Sequence, residues 1–386
     1  MIWDELQGEL DALQRAGLQR TRRTLDLPCG PLARVDGRSL VSFCSNDYLG
    51  LANDPALVAA ACAGAHTWGV GSGASHLVSG HLGPHAVLEE RLAAFTGFDR
   101  ALLFSTGYMA NLGIVPALVG RGDAVFADRL NHASLIDAVQ LSRADSQRYA
   151  HADLAALEGL LAASTARRRL ILTDAVFSMD GDLAPLPGLL ALAERYDAWL
   201  VVDDAHGFGV LGPQGRGSIG HFGLPASHRL ICMGTLGKAA GAAGAFVAAH
   251  ATVIEWLAQR ARTYIFTTAG SPLIACALAT SLDLIAAGDA RRAHLRHLVG
   301  QLRDGLAGSR WRLLPSPTAI QPVIVGDNHA TVRLAAALLE RGLWVPAIRP
   351  PTVPQGTARL RVSLSAAHSA AQVAQLVDAL RELACT

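Results

Sequence analysis

Several features that mark other classes of protein are scarce in this sequence. Aromatic residues make up 5% of its 386 residues, charged residues 17%, and the formal net charge is only +1. So small a net charge gives no electrostatic attraction for a polyanion, and we therefore expect no nucleic-acid partner. Hydrophobic residues reach 51%, too many for a disordered chain. The length predicts a globular protein with one large domain and a smaller one.

Cysteine motifs and long apolar runs are also missing. The six cysteines form neither a CxxC pair nor the Cys/His spacing of a metal site; they are Cys29, Cys44, Cys62, Cys232, Cys276 and Cys385. We interpret them as reduced thiols of a cytoplasmic protein and expect no metal. The first residues are acidic and polar rather than typical of a signal peptide. Because no charge-free apolar run of about twenty residues occurs, we expect no membrane span.

The chain does have a regular alternation of strand and helix patterns. Strand candidates span 101–104, 124–126, 170–173, 200–202, 230–233 and 245–248, with helical stretches at 83–95, 111–119, 153–163 and 186–196. This alternation predicts an α/β domain with a doubly wound, mainly parallel sheet. A helix at 4–18 and a strand at 40–44 precede it. A helical region at 271–306 leads to strands at 320–325 and 359–364 and helices at 330–341 and 370–383. We therefore expect an N-terminal segment 1–50, a large domain 51–284 and a smaller α+β domain 285–386.

A single lysine follows one of these strands. Lys238 lies at the tip of a Gly-containing turn and is the only charged residue between Arg229 and Glu255. Burial in such a segment would lower the pKa of the amine, and a neutral amine can form an imine with an aldehyde. A surface-loop lysine that keeps its charge in water explains this segment alone equally well.

Acidic, basic and hydroxyl side chains follow the other strands, where open α/β sheets build their ligand sites. Asp203 would keep a pyridinium nitrogen protonated and so make the ring an electron sink, and His206 would bind its phenolate oxygen. A helix cap or a metal ligand is the alternative for such an acid. His132 follows another strand end and can stack on a flat cofactor, although a lone histidine is more often structural.

A phosphate group has a candidate site as well. Gly107 and Tyr108 open a helix after a strand, and backbone N–H groups at a helix start bind phosphate. Thr235 and Ser178 add hydroxyls, although turn capping explains such hydroxyls about as well. Arg349, beside Thr352, would clamp a substrate carboxylate. Together these residues need a small planar aldehyde with a phosphate, a ring nitrogen and a phenolic oxygen, and pyridoxal 5'-phosphate has all four.

These motifs resemble one known family nearly from end to end. Ordered matches cover 45–51, 71–80, 105–111, 131–135, 176–186, 203–210, 235–238 and 347–368. The sequence resembles the α-oxoamine synthases, which are pyridoxal-phosphate-dependent acyltransferases of fold type I. The resemblance implies an aspartate-aminotransferase-like fold. One position departs from the family pattern, since His76 stands where an arginine is expected.

The resemblance also implies a role for each matching residue. Lys238 would form the covalent link to the cofactor and act in catalysis with His132, Asp203 and His206. The cofactor contacts would be Gly107, Tyr108, His132, Ser178, Asp203, His206, Thr235 and Lys238. Arg20, His132, Arg349 and Thr352 would meet the substrates, with Arg20 on the acyl group. The cluster of arginines around Arg20 is also explained as a solvated helix end.

Within the family, 316–328 and 347–368 resemble the branch that condenses L-alanine with a pimeloyl thioester in biotin biosynthesis. The acyl carrier would be acyl carrier protein or coenzyme A. The family also implies a homodimer with sites at the interface, where Thr267 and Thr268 would reach the neighbour's phosphate. The alternatives are a sister activity such as glycine C-acetyltransferase, and a catalytically silent scaffold subunit.

Overall fold

A computed structural model describes residues 1–384, so Cys385 lies outside the described residues, and the other five cysteines are free thiols. The chain forms two units. The small unit comprises Met1–Gly50, Met179–Asp182 and the chain from Ala290 onward, and the large unit comprises Leu51–Ser178 and Leu183–Asp289. The segments 1–50 and 285–386, expected as separate parts of the sequence, thus fall mostly into one unit, whose C-terminal part begins at Ala290.

Helices and strands succeed one another along the whole described chain. The N-terminal segment contains α1 (Ile2–Arg15), β1 (Leu32–Val35) and β2 (Arg38–Ser42). The large unit contains α2 (Pro55–Trp68), a π-helical turn (His76–Gly80), α3 (Gly83–Thr96), β3 (Arg100–Phe104), α4 (Gly107–Leu118), β4 (Ala124–Asp128), α5 (Ala133–Ser142), β5 (Asp145–Tyr149), α6 (Leu154–Ala163), β6 (Arg169–Asp174), α7 (Leu186–Arg195), β7 (Ala198–Asp203), a 3-10 turn (Pro213–Gly215), α8 (Ser218–His221), β8 (Leu230–Thr235), β9 (Ala245–Ala249), α9 (Ala251–Arg260), α10 (Arg262–Ile265) and α11 (Pro272–Ala286). The remaining elements are α12 (Asp289–Leu306), β10 (Arg312–Leu313), β11 (Ile320–Gly326), α13 (Asn328–Glu340), β12 (Leu343–Trp344), β13 (Ala347–Ile348), β14 (Ala358–Ser363) and α14 (Ala370–Glu382).

The large unit is built on a seven-stranded sheet in the order β3-β9-β8-β7-β6-β4-β5. The strands from β4 to β8 run parallel, whereas β9 is antiparallel to both β3 and β8. The predicted doubly wound, mainly parallel sheet is therefore confirmed. Every residue of β4 and β9 is buried, as expected for strands with helices on both faces of the sheet. The edge strand β5 was not predicted, because its sequence Asp-Ser-Gln-Arg-Tyr is polar and more than half of it is exposed.

The bounds of two predicted helical stretches matter most where the structure differs from the prediction. The helix predicted at 111–119 already starts at Gly107, because the Thr106 hydroxyl accepts the Met109 N–H at 3.1 Å and caps it. The region 271–306 is not one helix but two, α11 and α12, separated at Ala287 and Gly288. The start of α4 matters for the site, because it places the free N–H groups of the first turn directly after β3.

The small unit contains two sheets of its own. One has the order β1-β2-β12 and the other, antiparallel, has the order β10-β11-β14-β13. The segment 179–182 belongs to this unit through the buried Arg359 on β14, which pairs with Asp180 and donates to the Met179 carbonyl at 3.1 Å. Ser316 adds a hydrogen bond of 2.9 Å to the Gly181 carbonyl.

The predicted N-terminal helix is present, but none of its residues is buried within the described chain. Leu6, Leu10 and Leu13 on its apolar face are 43–47% exposed. Among the described residues no single helix is long and apolar enough to cross a membrane, and α11 and α12 pass such a test only when taken together, on length and composition alone.

Candidate functional site

The parallel strands bring their last residues to one edge of the large unit's sheet. In the strand register Asp174 on β6 pairs with Asp203 on β7, and Asp203 pairs with Met233 on β8. The two aspartates are 3% and 4% exposed. Two carboxyl groups therefore lie side by side at the end of a buried sheet, which is where the sequence predicted a ligand site.

Lys238 lies three residues beyond the end of β8. Its side chain is half-buried, and Nζ is 2.8 Å from Nε2 of the buried His206. The turn that carries Lys238 closes with a 2.9 Å hydrogen bond from the Gly241 N–H to the Lys238 carbonyl. Gly241 has φ of 73°, and a Cβ there would lie 2.6 Å from the Leu51 carbonyl carbon. Glycine is therefore required at this point, and the turn holds the lysine amine beside the imidazole.

Asp203 is held by two hydrogen-bond donors. The side-chain amide of Asn111 donates to Oδ2 at 2.8 Å, and the Ala205 N–H donates to Oδ1 at 3.0 Å. Asn111 lies on α4 and is fully buried. These two donors fix the orientation of the carboxylate, and Asn111 was not predicted as a site residue although it belongs to the motif that follows β3.

The neighbouring Asp204 serves the fold instead. Its oxygens accept the Ser218 N–H at 2.8 Å and the Ser218 hydroxyl at 2.5 Å. A Cβ on either Gly207 or Gly217 would lie 2.1 Å from this carboxyl group. Burial raises the pKa of Asp204 to about 7. Adjacent strand residues point to opposite faces of a sheet, so only one carboxyl group of the pair belongs to the site.

His132 caps the N-terminus of α5. Its Nδ1 lies 2.8 Å from the Ser134 hydroxyl and accepts the Ser134 N–H at 3.3 Å. Its own backbone N–H donates to Asp174 Oδ2 at 2.7 Å. Desolvation in the site lowers the pKa of His132, and the nearby Asp203 opposes this shift. The pKa of Asp174 is raised well above its ordinary range by burial, and the Asp203 charge adds to the effect.

One cavity of about 200 Å³ brings most of the predicted residues together. Its lining includes the predicted residues Gly107, Tyr108, His132, Asp203, His206, Thr235 and Lys238. The lining also includes Ser134, Asp174, Ala205 and Met233, which were not predicted. Asp174 had a detectable signal, since it ends its strand as Asp203 does. Ser178 is half-buried and is not among the lining residues.

Three of the four predicted substrate residues, Arg20, Arg349 and Thr352, belong to the small unit, whereas His132 belongs to the large unit. Arg20 donates to the Thr352 hydroxyl at 3.5 Å, and Arg349 donates to the Gly17 carbonyl. Partial burial and the charge of Arg20 lower the pKa of Arg349. The small unit thus contains two guanidinium groups close enough to repel each other, an arrangement that an anion would stabilise.

His76, the departure from the family pattern, lies in a group of three imidazoles. Its Nδ1 is 2.9 Å from Nδ1 of His81, and its ring stacks on Tyr264 at 4.8 Å. Burial lowers the pKa of His76 to about 4. The third imidazole, His85, accepts the Leu82 N–H at 3.0 Å and lies 2.9 Å from the Gly270 carbonyl. Because both nitrogens of His85 are engaged, the three rings serve packing in the large unit better than metal binding.

Comparison with known proteins gives consistent results. Residues 38–380 match the family model described as aminotransferase class I and II. An 8-amino-7-oxononanoate synthase of Herminiimonas arsenicoxydans is 70% identical over 385 residues, or 99% of each chain. A solved serine palmitoyltransferase from S. paucimobilis with bound pyridoxal phosphate and myriocin has a TM-score of 0.92 at 31% identity, covering 98% of this chain and 96% of that one. A solved 8-amino-7-oxononanoate synthase from Francisella tularensis has a TM-score of 0.78 at 32% identity, covering 89% and 97%.

Proposed function

Because this chain belongs to the class I and II aminotransferase family and matches 8-amino-7-oxononanoate synthases along its full length, we propose that it forms 8-amino-7-oxononanoate in biotin biosynthesis. The reaction is a decarboxylative condensation of L-alanine with a pimeloyl thioester that releases carbon dioxide and the carrier thiol. The cofactor is pyridoxal 5'-phosphate. The observation that carries this proposal is 70% identity over 99% of the chain to an enzyme of that name.

The residues of the cavity suit this cofactor. The buried Asp203 carboxylate is held in a fixed orientation by hydrogen-bond donors, as a partner for a protonated ring nitrogen must be. The first turn of α4, with Gly107 and Tyr108, offers N–H groups to a phosphate beside the Thr235 hydroxyl. When bound, pyridoxal phosphate supplies an aldehyde that joins the substrate amine and a ring that accepts the electron pair released at Cα.

Each side chain of the cavity then has its own role in the proposed reaction. Lys238 would hold the cofactor covalently, and its amine, when free, would remove the Cα proton of the amino acid and later return a proton there. His206, 2.8 Å from Nζ, orients this amine and would hydrogen-bond the phenolic oxygen of the cofactor. Asp203 would keep the ring nitrogen protonated, and His132 would stack on the ring. Ser178 stays a prediction as a further cofactor contact.

The substrate side of the proposal involves the small unit. Arg349 binds the amino-acid carboxylate, and Arg20 and Thr352 meet the acyl substrate. The two neighbouring guanidinium groups favour the binding of an anion. The alanine carboxylate and the acyl substrate both provide an anionic group. Arg349→Lys keeps the charge but loses the planar fork, so the KM for alanine should rise more than kcat falls. An unchanged KM would remove Arg349 from this role.

A panel of substrates tests the activity. Steady-state rates are measured with alanine, glycine and serine, each with pimeloyl, acetyl and palmitoyl thioesters, on coenzyme A and on acyl carrier protein. We expect the highest kcat/KM for alanine with a pimeloyl thioester, and the panel also identifies the carrier. Serine is included because the serine palmitoyltransferase fold is so similar. A preference for glycine with acetyl-coenzyme A would refute the proposal in favour of the sister activity.

We also infer a homodimer in which Thr267 and Thr268 reach the phosphate of the neighbouring site. Phe266, directly before them, is 70% exposed and Leu141 is 60% exposed, which leaves apolar surface on the single chain. Light scattering should give twice the chain mass of 40.4 kDa. A fully active monomer would contradict this assembly.

A further inference from the structure

A chain of hydrogen bonds joins Asp203 to His132 through the interior of the large unit. The Asn111 amide nitrogen donates to Asp203 Oδ2 at 2.8 Å and to the Ser134 hydroxyl at 2.9 Å. The Ser134 hydroxyl lies 2.8 Å from His132 Nδ1. Asn111 and Ser134 are 0% and 1% exposed. Two buried residues on α4 and α5 thus link the two side chains expected to bind the cofactor ring.

The direction of each hydrogen bond follows from the chemistry of the groups. A carboxylate oxygen accepts, so the nitrogen of the Asn111 amide faces Asp203. The same nitrogen donates to Ser134, which leaves the serine hydrogen for His132 Nδ1. The Ser134 backbone N–H also points at Nδ1, at 3.3 Å, and a backbone N–H can only donate. Two donors therefore meet at Nδ1, and a neutral His132 carries its hydrogen on Nε2.

The unused oxygen of Asn111 supports this orientation. Asn111 Oδ1 is buried and has no hydrogen-bond partner among the described residues. Leaving a buried acceptor unpaired is unfavourable. The reversed amide would be worse, because it would set Oδ1 against the Asp203 oxygen. The Asn111 amide therefore donates one hydrogen bond to Asp203 and one to Ser134, and its oxygen is left without a hydrogen bond.

We propose that Asn111 and Ser134 are positioning residues, which orient the Asp203 carboxylate and hold His132 as the tautomer with hydrogen on Nε2. The proposal rests on the proposed function in that Asp203 and His132 are taken to bind the cofactor ring. Asn111 prevents the carboxylate from turning away from the ring nitrogen. Ser134 keeps the lone pair of Nδ1 engaged, so that the Nε2–H is the polar group that His132 can present to a ligand.

The first test uses the protein without added cofactor. With ¹⁵N-labelled histidine, long-range ¹H–¹⁵N spectra distinguish the two neutral tautomers, and His132→Gln identifies the signal. We expect wild-type His132 to show an unprotonated Nδ1 and a protonated Nε2, and Ser134→Ala to shift the Nδ1 resonance. The opposite tautomer in the wild type would overturn the proposal, and this result does not depend on the reaction catalysed.

The second test measures cofactor binding by absorbance titration of the apoenzyme. Asn111→Ala should weaken binding roughly 10- to 100-fold, the effect of one hydrogen bond to a charged group. It should also shift the pH at which the absorbance of the bound cofactor changes. Ser134→Ala is titrated in the same way and should also bind the cofactor more weakly. Ser142→Ala is its matched control, because it too removes the hydroxyl of a buried serine on helix α5, one that donates to the Val139 carbonyl at 2.6 Å. That control should leave affinity and spectrum unchanged.

A double-mutant cycle completes the design. The cycle combines Asn111→Ala and Ser134→Ala in one double variant. If Asn111 acts on His132 through Ser134, the His132 resonances of Ser134→Ala and of this double variant should be nearly the same. Wild-type affinity and spectrum in a folded Asn111→Ala variant would overturn the proposal while leaving the proposed function intact. A wild-type protein that binds no pyridoxal phosphate would instead refute the proposed function. If Asn111→Ala does not fold, the tautomer of wild-type His132 and the Ser134→Ala titration still decide the question.

Discussion

Asp203 and Asp204 are adjacent, both buried and chemically identical, yet the structure gives them opposite consequences on substitution. Asp203 lines the cavity with Lys238, whereas Asp204 accepts two hydrogen bonds from Ser218 and does not line that cavity. Replacing each in turn by asparagine removes an ionisable carboxyl group at nearly constant volume. The pair therefore separates the effect of a carboxyl group in the site from the effect of one in the fold.

The expected magnitudes follow from the partners of each residue. In Asp204→Asn the new amide can accept the Ser218 N–H through its oxygen and donate to the Ser218 hydroxyl, which can reverse its role, so little stability is lost. In Asp203→Asn the new NH₂ group would face one of the two hydrogen-bond donors, unless the Asn111 amide turns over and accepts with its unpaired oxygen. We therefore expect the free energy of unfolding to fall by no more than about 1–3 kcal/mol. The activity differs much more, because only Asp203→Asn removes a fixed charge from the reacting centre. A loss of roughly 10²–10³-fold in kcat is expected.

The assay compares kcat for alanine and the pimeloyl thioester, cofactor affinity and Tm for the two variants and the wild type. Asp203→Asn should lose activity and bind the cofactor more weakly, and Asp204→Asn should retain both. A wild-type kcat in Asp203→Asn would refute the role of that carboxylate. Loss of kcat in a folded, cofactor-bound Asp204→Asn variant would equally refute the division between the two acids.

Asp204 also predicts a pH dependence of stability. Burial raises its pKa to about 7 in the folded protein, against about 3.9 in an unfolded chain. The folded protein therefore holds this proton more tightly, and the contribution to stability is fully present below about pH 4 and is lost as pH rises through about 7. The Tm of Asp204→Asn relative to the wild type should therefore increase between about pH 5 and pH 8. A constant difference would show that the carboxyl group titrates normally.

Three further changes have defined outcomes. Lys238→Ala should abolish turnover and the covalent cofactor link, which borohydride reduction and mass spectrometry of the intact protein detect; near wild-type turnover would disprove the assignment. Gly241→Ala should destabilise the fold by more than about 1 kcal/mol and lower Tm accordingly, because φ is 73° and the new Cβ meets the Leu51 backbone; an unchanged Tm would argue against the turn. Arg359→Met should cost roughly 3 kcal/mol in denaturant unfolding, because Asp180 loses its buried partner, and a loss below about 1 kcal/mol would contradict this importance of the pair.

Much of the large unit was predictable because its strands are continuous apolar runs separated by helical periods. The exception, β5, is polar, since an edge strand is only half covered and needs no apolar face. The break between α11 and α12 was missed because apolar periodicity continues on both sides of it. The predicted family is confirmed by the comparisons, and its motifs already placed Lys238, Asp203 and His206 at strand ends.

What the sequence determined by itself is therefore the alternation that builds a parallel sheet and the identity of the reactive groups beyond its strands. The tertiary structure decided how those groups are held. Strand register set Asp174 beside Asp203, and the packing of α4 on α5 joined Asn111 to Ser134. Contacts between residues far apart in the chain depend on the distances between packed elements. Local patterns of hydrophobicity and turn residues do not specify those distances.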